Sequence, residues 1–322
     1  MREDKKILFM GTPDFAANSL KCLVESGYNV IGVFTNKDKP YGRGMKLKYS
    51  EVKEYAISKN IPVFQPAKLR NNEEVMEIIK KLNPDLIAVV AYGKILPSEI
   101  INYPKYGCVN VHGSLLPKYR GAAPIQYAII NGEKTTGVTT MYMDEGMDTG
   151  DMLLKSEIPI QDNDNYETLH DKLKVIGGNL LVETLDKIFN GSIKREKQND
   201  DDATYTKLIT KDMTKIDFNK TAKEIYDFVR GLNPFPCTYI QSDDKRYKIY
   251  EVEVVDENNM ITNNDNYNFK CGEVCFVSKK KLYIKCLDTA ISIKTIQPTN
   301  SKRMDISAFL AGNSISVGTI FK

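Results

Sequence analysis

Two polar segments carry residue types from which a catalytic site could be built. Residues 110–121, NVHGSLLPKYRG, place Asn110 and His112 two positions apart. Residues 144–151, DEGMDTGD, bring four acids and two glycines directly after an apolar run. An amide, an imidazole and a carboxylate that meet around one carbonyl carbon can promote acyl transfer through a tetrahedral intermediate. One of the four acids in the second segment would supply the carboxylate.

Asn110 and His112 are predicted to lie on a strand. Apolar and polar residues alternate over residues 107–112, where the β-branched Val109 and Val111 each precede a polar residue. Asn110 and His112 therefore project from one face, and the two valines project from the opposite, buried face. The following Gly-Ser-Leu-Leu-Pro ends the strand, which places the polar pair at a carboxyl edge, where open α/β sheets bind ligands.

The acidic loop and the histidines also have simpler interpretations. A calcium loop is disfavoured because the spacing lacks the terminal bidentate Glu of an EF-hand, and a solvated turn remains open. The loop glycines would let it turn back over the sheet edge and bring one carboxylate to the imidazole, which would orient the ring. His112 could equally be a structural histidine with a backbone partner, whereas His170 in a helical pattern is predicted to be a surface residue.

Other motifs give weaker signals. Ser114 shares the parity of His112, but no Gly-x-Ser-x-Gly elbow surrounds it, which argues against a serine hydrolase. Residues 11–15, GTPDF, follow the first predicted strand without the later glycines of a dinucleotide fingerprint, so no NAD or FAD is predicted. Residues 37–48 are basic and are predicted to form a loop without regular structure. This loop could contact a nucleic-acid backbone or could simply be solvated.

The composition is typical of a reduced protein with two domains. The 322 residues exceed one typical domain, and 45 Lys and Arg balance 42 Asp and Glu, with a small basic excess after residue 206. Six scattered cysteines favour the cytoplasm, and the pair Cys271 and Cys275 is predicted to be two buried thiols and not a metal site. No apolar run is long enough to span a membrane, and residues 7–10 are too short a core for a signal peptide.

The order of segments predicts an α/β domain followed by a small β domain. Strand-like and helix-like segments alternate over about the first 190 residues, which indicates a mostly parallel sheet with helices on both faces. Residues 191–206 are polar and charged and are predicted to be an exposed linker. A short helix over residues 222–231 precedes several short alternating strands, a pattern typical of a small barrel or sandwich.

The chain resembles the methionyl-tRNA formyltransferase family over its entire length. The resemblance is carried by residues 10–16 (MGTPDFA), 110–126, 143–151 and 231–236 (GLNPFP). The Asn-x-His with a later Asp is common to formyltetrahydrofolate enzymes of this fold, whereas residues 39–47 resemble the family's loop that enters the acceptor arm of initiator tRNA. The family more often carries Trp and Gly where this chain has Phe235 and Cys237, so this corner is expected to pack differently.

The resemblance implies a Rossmann-like catalytic domain over residues 1–190, a linker over 191–206 and an OB-like tRNA-binding barrel over 207–322. The implied catalytic residues are Asn110, His112 and Asp148. The implied folate-binding residues are Ser114, Leu115, Leu116 and Pro117, and the implied tRNA contacts are Arg43, Lys39 and Lys46. The expected substrates are 10-formyltetrahydrofolate and initiator methionyl-tRNA. We expect no metal and no membrane association, and a monomer in the cytoplasm or, in a eukaryote, an organellar matrix.

The implied reaction begins when the methionyl α-amine attacks the formyl carbon carried on N10 of the folate. Asn110 and His112 would donate to the carbonyl oxygen, while Asp148 holds His112 and helps to move the proton from the amine to N10. Whether His112 or Asp148 takes the proton stays open. A formyltetrahydrofolate hydrolase and an amino-sugar formyltransferase would use the same three residues, and a tRNA-binding module with an inactive catalytic domain is a further alternative.

Overall fold

The computed structural model describes residues 2–41, 46–242, 245–256 and 268–322. The chain divides into two units that are each assembled from separate stretches. The first unit comprises Met1–Gly121, Thr135–Pro159 and His170–Thr206, and the second comprises Ala122–Lys134, Ile160–Leu169 and Lys207–Lys322.

The first unit is built on a seven-stranded sheet. The strands of this unit are β1 (Lys6–Gly11), β2 (Asn29–Phe34), β3 (Lys39–Tyr41), β4 (Lys46–Lys48), β5 (Val63–Phe64), β6 (Leu86–Val90), β7 (Cys108–His112), β8 (Arg120–Gly121), β9 (Thr135–Tyr142), β10 (Met152–Pro159) and β11 (Tyr205–Thr206). The sheet runs in the order β10-β9-β7-β6-β1-β2-β5. Its pairs from β7 to β5 are parallel, and β9 and β10 add antiparallel partners at one side.

Eight α-helices lie in the described parts of the two units. They are α1 (Asp14–Glu25), α2 (Glu51–Ser58), α3 (Glu73–Leu82), α4 (Ser98–Ile101), α5 (Pro124–Ile130), α6 (Tyr166–Phe189), α7 (Ala222–Gly231) and α8 (Ile306–Gly312). Short 3-10 turns occupy Arg2–Asp4, Asp200–Asp202 and Lys211–Thr214. Within the described residues, no helix is both long enough and apolar enough to cross a membrane.

Side chains cover both faces of the sheet according to strand parity. On one face, Leu8 of β1 packs with Val75 and Ile79 of α3. On the other face, Val111 of β7 lies so close to α6 that a Cβ added at Gly177 would be 3.2 Å from Val111 Cγ1. The predicted mostly parallel α/β sheet with helices on both faces is therefore confirmed, since helices pack on the central strands from both sides.

An antiparallel sheet organises the second unit. Its strands are β12 (Thr238–Ser242), β13 (Lys245–Val255), β14 (Val274–Val277), β15 (Leu282–Lys285), β16 (Ala290–Pro298) and β17 (Met304–Asp305). They pair in the order β12-β13-β16-β15-β14, and β17 pairs with β16. The core beneath this sheet joins Ile225 and Val229 of α7 to Ile249, Ile291 and Phe309. The predicted small β domain is confirmed.

Two predicted features differ from the structure, and one strand was not predicted. The basic segment 37–48 is not irregular throughout, because β3 and β4 pair as an antiparallel hairpin with Pro40 opposite Leu47. Strand β10 was not predicted, because it lies at the edge of the sheet and its apolar run is only three residues long, followed by half-buried or exposed positions over residues 155–159. Residues 191–206 are not wholly exposed, because Gln198 is only 5 % exposed and β11 pairs with β8. The domain boundaries at residues 190 and 207 stay a prediction.

The start of α7 carries a capping box whose loss should be measurable. Glu224 N donates to Thr221 Oγ1 at 3.2 Å, and Thr221 N donates to Glu224 Oε2 at 2.9 Å. We expect Thr221→Ala to lower the free energy of unfolding of the second unit by about 1 kcal/mol, because one helix-terminal donor loses its partner. Urea denaturation measures this, with Thr221→Ser as the control that keeps the hydroxyl. Equal midpoints for Thr221→Ala and the unaltered chain would contradict the role of the cap.

Candidate active site

The candidate site is centred on β7, whose alternation places Asn110 and His112 on one face. Asn110 Nδ2 donates to Asp148 Oδ1 at 3.5 Å, and His112 Nδ1 lies 3.6 Å from Asp148 Oδ2. The structure thus brings together the three side chains that the sequence selects. Both separations are long for hydrogen bonds, so other groups must hold the carboxylate in place.

The acidic loop reaches these residues by a route that the sequence did not predict. Strand β9 is antiparallel to β7 and pairs Tyr142 with Val109, so the loop starts beside the amino end of β7. It then returns along the polar face of β7 to place Asp148 beside Asn110 and His112. The loop was expected to cross the carboxyl edge of the sheet, but in the structure it crosses the face of β7.

The backbone of Asp148 makes the turn that the sequence assigned to the loop glycines. Asp148 has φ +55°, a left-handed conformation that is unfavourable by roughly 1–2 kcal/mol for a residue with a side chain. Gly150 is needed for space instead, because an added Cβ would overlap the carbonyl oxygen of Tyr142. The loop is thus held in a strained form that the surrounding residues must stabilise.

The hydrogen bond to the Tyr119 backbone fixes the tautomer of the His112 ring. Nε2 lies 2.9 Å from the backbone oxygen of Tyr119, and the ring is only 6 % exposed. Because a carbonyl oxygen only accepts, Nε2 carries a hydrogen and donates it. Nδ1 is then the ring atom that faces Asp148 and can gain or release a proton.

The amide of Gly121 makes the shortest hydrogen bond to the Asp148 carboxylate, donating to Oδ2 at 2.8 Å. Gln198 holds the backbone of the same loop, because its Nε2 donates to the carbonyl oxygens of Asp148 and Gly150, each at 2.8 Å. Sequence reasoning missed Gln198. It stands in a polar, charged segment where no local pattern separates a buried glutamine from a solvated one.

Cys108 lies on the same face of β7 as Asn110 and is excluded as a nucleophile. Its side chain packs in the core beside Ile100 and Ile101. Burial raises the pKa of the Cys108 thiol to about 12, so no useful fraction of thiolate exists near neutral pH. Asn110 and His112 are therefore the candidate reactive side chains on this face of β7.

The predicted folate-binding segment is only partly accessible. Ser114 is fully buried and its Oγ donates to the Lys118 backbone oxygen at 2.6 Å. Leu116 is buried in a small cluster with two methionines, while Leu115 and Pro117 are half-buried. Ser114 and Leu116 therefore shape this segment, and its assignment to folate stays a prediction.

Two of the three predicted tRNA contacts lie on the β3/β4 hairpin. Lys39 is exposed on β3, Lys46 begins β4, and Arg43 lies outside the described residues. The base of the hairpin is anchored by Asp38, which accepts from Lys53 Nζ at 2.6 Å. That hydrogen bond from Lys53 lowers the pKa of the Asp38 carboxyl. The hairpin is thus tied to α2 while Lys39 stays open to a partner.

Two minor predictions are corrected. His170 is half-buried and not a solvated surface residue, because its ring packs edge-to-face on Phe15 at 5.5 Å between centroids and lies beside Asp14. Of the predicted pair of buried thiols, Cys275 is buried and Cys271 is half-buried.

Comparisons with known proteins identify the family. A formyl transferase family model matches residues 5–185, and the model of the formyl transferase C-terminal domain matches residues 208–314. Solved structures share the fold. A sugar 3N-formyl transferase, solved in the presence of dTDP and 5-N-formyl-THF, is 23 % identical with a TM-score of 0.66, and the match covers 92 % of this chain and 99 % of that one.

Relatives of much higher identity match the whole chain. The methionyl-tRNA formyltransferase of Caldanaerobacter subterraneus is 50 % identical over 317 residues, which cover 98 % of this chain and 100 % of the relative. That of Clostridioides difficile is 48 % identical over 315 residues, covering 98 % and 99 %. The chain belongs to the formyl transferase family, and these full-length relatives within it are methionyl-tRNA formyltransferases.

The crowding at Gly150 generates a test of the loop geometry. We expect Gly150→Ala to destabilise the first unit by roughly 1–3 kcal/mol, because the new methyl group displaces the Tyr142 carbonyl. Amide hydrogen exchange should become faster over residues 144–151 and at Gly121. The control is Gly312→Ala, where an added Cβ has no neighbour within 4 Å. Unchanged exchange in the loop of Gly150→Ala would refute the geometry.

Proposed function

We propose that this chain transfers the formyl group of 10-formyltetrahydrofolate to the α-amino group of methionine on initiator methionyl-tRNA, for translation initiation. The observation that carries the proposal is the convergence of Asn110, His112 and Asp148 in a chain that is 50 % identical, over 98 % of its length, to a methionyl-tRNA formyltransferase. The solved sugar formyl transferase at 23 % identity supports the fold alone, so it gives no comparable support to an amino-sugar acceptor.

Asn110 and His112 would stabilise the oxygen of the formyl group as it gains negative charge. Among the described residues, Asn110 Nδ2 makes only a 3.5 Å bond to Asp148, so it remains available to a stronger acceptor. His112 would donate from Nδ1 after protonation, because Nε2 is committed to the Tyr119 carbonyl. Donors fixed in a partly buried site stabilise a tetrahedral oxyanion without reorganising during the reaction.

Asp148 would move the proton. Attack joins the amine nitrogen to the formyl carbon, and the bond from that carbon to N10 then breaks, so one proton leaves the amine and one reaches N10. Asp148 Oδ2 lies 3.6 Å from His112 Nδ1, where the carboxylate complements a protonated ring and can pass a proton. The balance of this scheme calls for no metal ion. A free α-amino group titrates near ~7.7, so neutral amine is present at cytoplasmic pH.

The folate would lie beside the polar face of β7. Residues 114–117 shape one part of this region, and residues 91–97 follow β6, the neighbour of β7. Ile95 in the second segment is 88 % exposed, which offers an apolar contact to a flat ring. Ser98, which follows this segment, donates from Oγ to Glu145 Oε1 at 2.7 Å and so links the end of the segment to the acidic loop.

The second unit would bind tRNA through the outer face of β13. Tyr247 and Ile249 point into its core, so the alternating Arg246 and Lys248 point outward. Arg246 lies over the Tyr239 ring at 3.6 Å. Guanidinium groups beside aromatic faces are suited to phosphates and to stacked bases. In the first unit we propose Lys39, Arg43 and Lys46 as further tRNA contacts, and we expect a monomer that acts in the cytoplasm or an organellar matrix.

The direct test of function is formylation of initiator methionyl-tRNA by the purified chain. We expect formylmethionine, detected by mass, when 10-formyltetrahydrofolate is supplied. Asn110→Ala and His112→Ala should each lower the single-turnover rate about 100-fold to 1,000-fold, because one oxyanion donor is lost, while tRNA affinity is retained. A sugar amine in place of the tRNA is the control acceptor. Near-normal rates in both variants would remove these residues from the mechanism.

The charged face of β13 predicts a salt-dependent contact. We expect Arg246→Ala to weaken tRNA binding and to reduce the slope of log K against log salt by about 1, because one phosphate contact is lost. Filter binding over a salt series measures the slope. Lys21→Ala is the control, since it removes one exposed charge from α1. An unchanged slope for Arg246→Ala would exclude this face from the tRNA site.

A further inference from the structure

We infer that Gln198 is a positioning residue of the catalytic site, and that it acts by holding the loop that carries Asp148. Gln198 touches no reacting atom in the proposed scheme. The inference rests on the proposed function, because it concerns the same carboxylate. It assigns a positioning role to Gln198, which lies in residues 191–206, a segment that the sequence predicts to be a linker.

Both the amide nitrogen and the amide oxygen of the Gln198 side chain are hydrogen-bonded. Nε2 donates to the Asp148 and Gly150 carbonyl oxygens at 2.8 Å each, so two backbone groups on opposite sides of Thr149 are joined by one amide. Oε1 accepts from Arg120 Nε at 2.9 Å. A rotated amide would point its oxygen at two carbonyl oxygens, so the side chain has one acceptable orientation.

Arg120 fixes that orientation from the other side. It is 1 % exposed, and it donates to Gln198 Oε1, to Tyr205 Oη at 2.9 Å and to Asp200 Oδ1 at 2.8 Å. A guanidinium this deeply buried is tolerated only when its donors are paired, and its planar fork allows little rotation. Gln198 is thus held by a rigid partner and not by solvent.

The same segment also places the donor that binds the carboxylate. Gly121 N donates to Asp148 Oδ2 at 2.8 Å, and Gly121 follows Arg120 on β8. Strand β8 pairs with β11, so Gln198 holds the backbone of Asp148 while β11 supports Gly121, which binds its side chain. Both supports are needed because Asp148 has φ +55° and only long contacts to Asn110 and His112.

Loss of Gln198 should therefore misplace Asp148 without removing it. We expect Gln198→Ala to lower kcat for formyl transfer roughly 10-fold to 100-fold, because small displacements of a reacting group have effects of this size. The KM values for both substrates should change less than about threefold, because no substrate-binding group is lost. The neighbouring exposed Asp201→Ala is the matched control and should keep the kcat of the unaltered chain.

A double-mutant cycle separates positioning from general destabilisation. If Gln198 acts through Asp148, then Gln198→Ala should have almost no further effect on the single-turnover rate in the Asp148→Asn background. A merely structural role would give multiplied losses in the double variant, and that result, or an unchanged kcat in Gln198→Ala, would overturn the inference. If Asp148→Asn alone keeps full turnover, the proposed function of the site fails instead.

Hydrogen exchange gives a readout that does not depend on activity. In Gln198→Ala the Gly121 amide should exchange faster, because its acceptor has moved, while amides of β13 in the second unit keep their protection. Gln198→Met, which keeps the side-chain volume without the donors, replaces the alanine variant if that chain does not fold. Full protection of Gly121 in a folded Gln198 variant would refute the positioning role.

Discussion

The hydrogen bond from the Gly121 amide to the Asp148 carboxylate is the interaction on which the site depends. It joins the segment after β7 to the loop after β9, and it holds an aspartate whose backbone has the unfavourable φ of +55°. The carboxylate lies about 3.5 Å from Asn110 and His112, where the contacts are too long to hold it. Because Gly121 holds the carboxylate, Asn110 and His112 need not bind it tightly, and their side chains stay available to a substrate.

Strand β7 presents Asn110 and His112 to the candidate site and keeps Cys108 in the core. Val111 packs against α6 on one face, which commits Asn110 and His112 to the other. Cys108 shares the polar face but lies in the core, and burial raises the pKa of its thiol to about 12. The same strand therefore supplies an amide and an imidazole to the site while keeping a potential nucleophile unreactive.

Periodicity alone predicted most of the first unit, and it failed where tertiary contacts decide the outcome. Strand β7 was predicted over residues 107–112 and is observed over Cys108–His112, because alternation with β-branched residues marks a strand. Strand β10 was missed because an edge strand needs only weak alternation. Gln198 was missed because a polar side chain that is buried by partners distant in the chain looks, in sequence, like a solvated one.

The sequence by itself determined which residues could form the site, because strand parity and residue chemistry are local properties. Parity selected Asn110 and His112, the family resemblance added Asp148, and the order of segments indicated the α/β and β units. Only the tertiary structure decided how these residues meet. The antiparallel direction of β9, the turn at Asp148 and the Nε2 bond of His112 to Tyr119 all depend on pairing between distant segments, and no local pattern encodes such pairing.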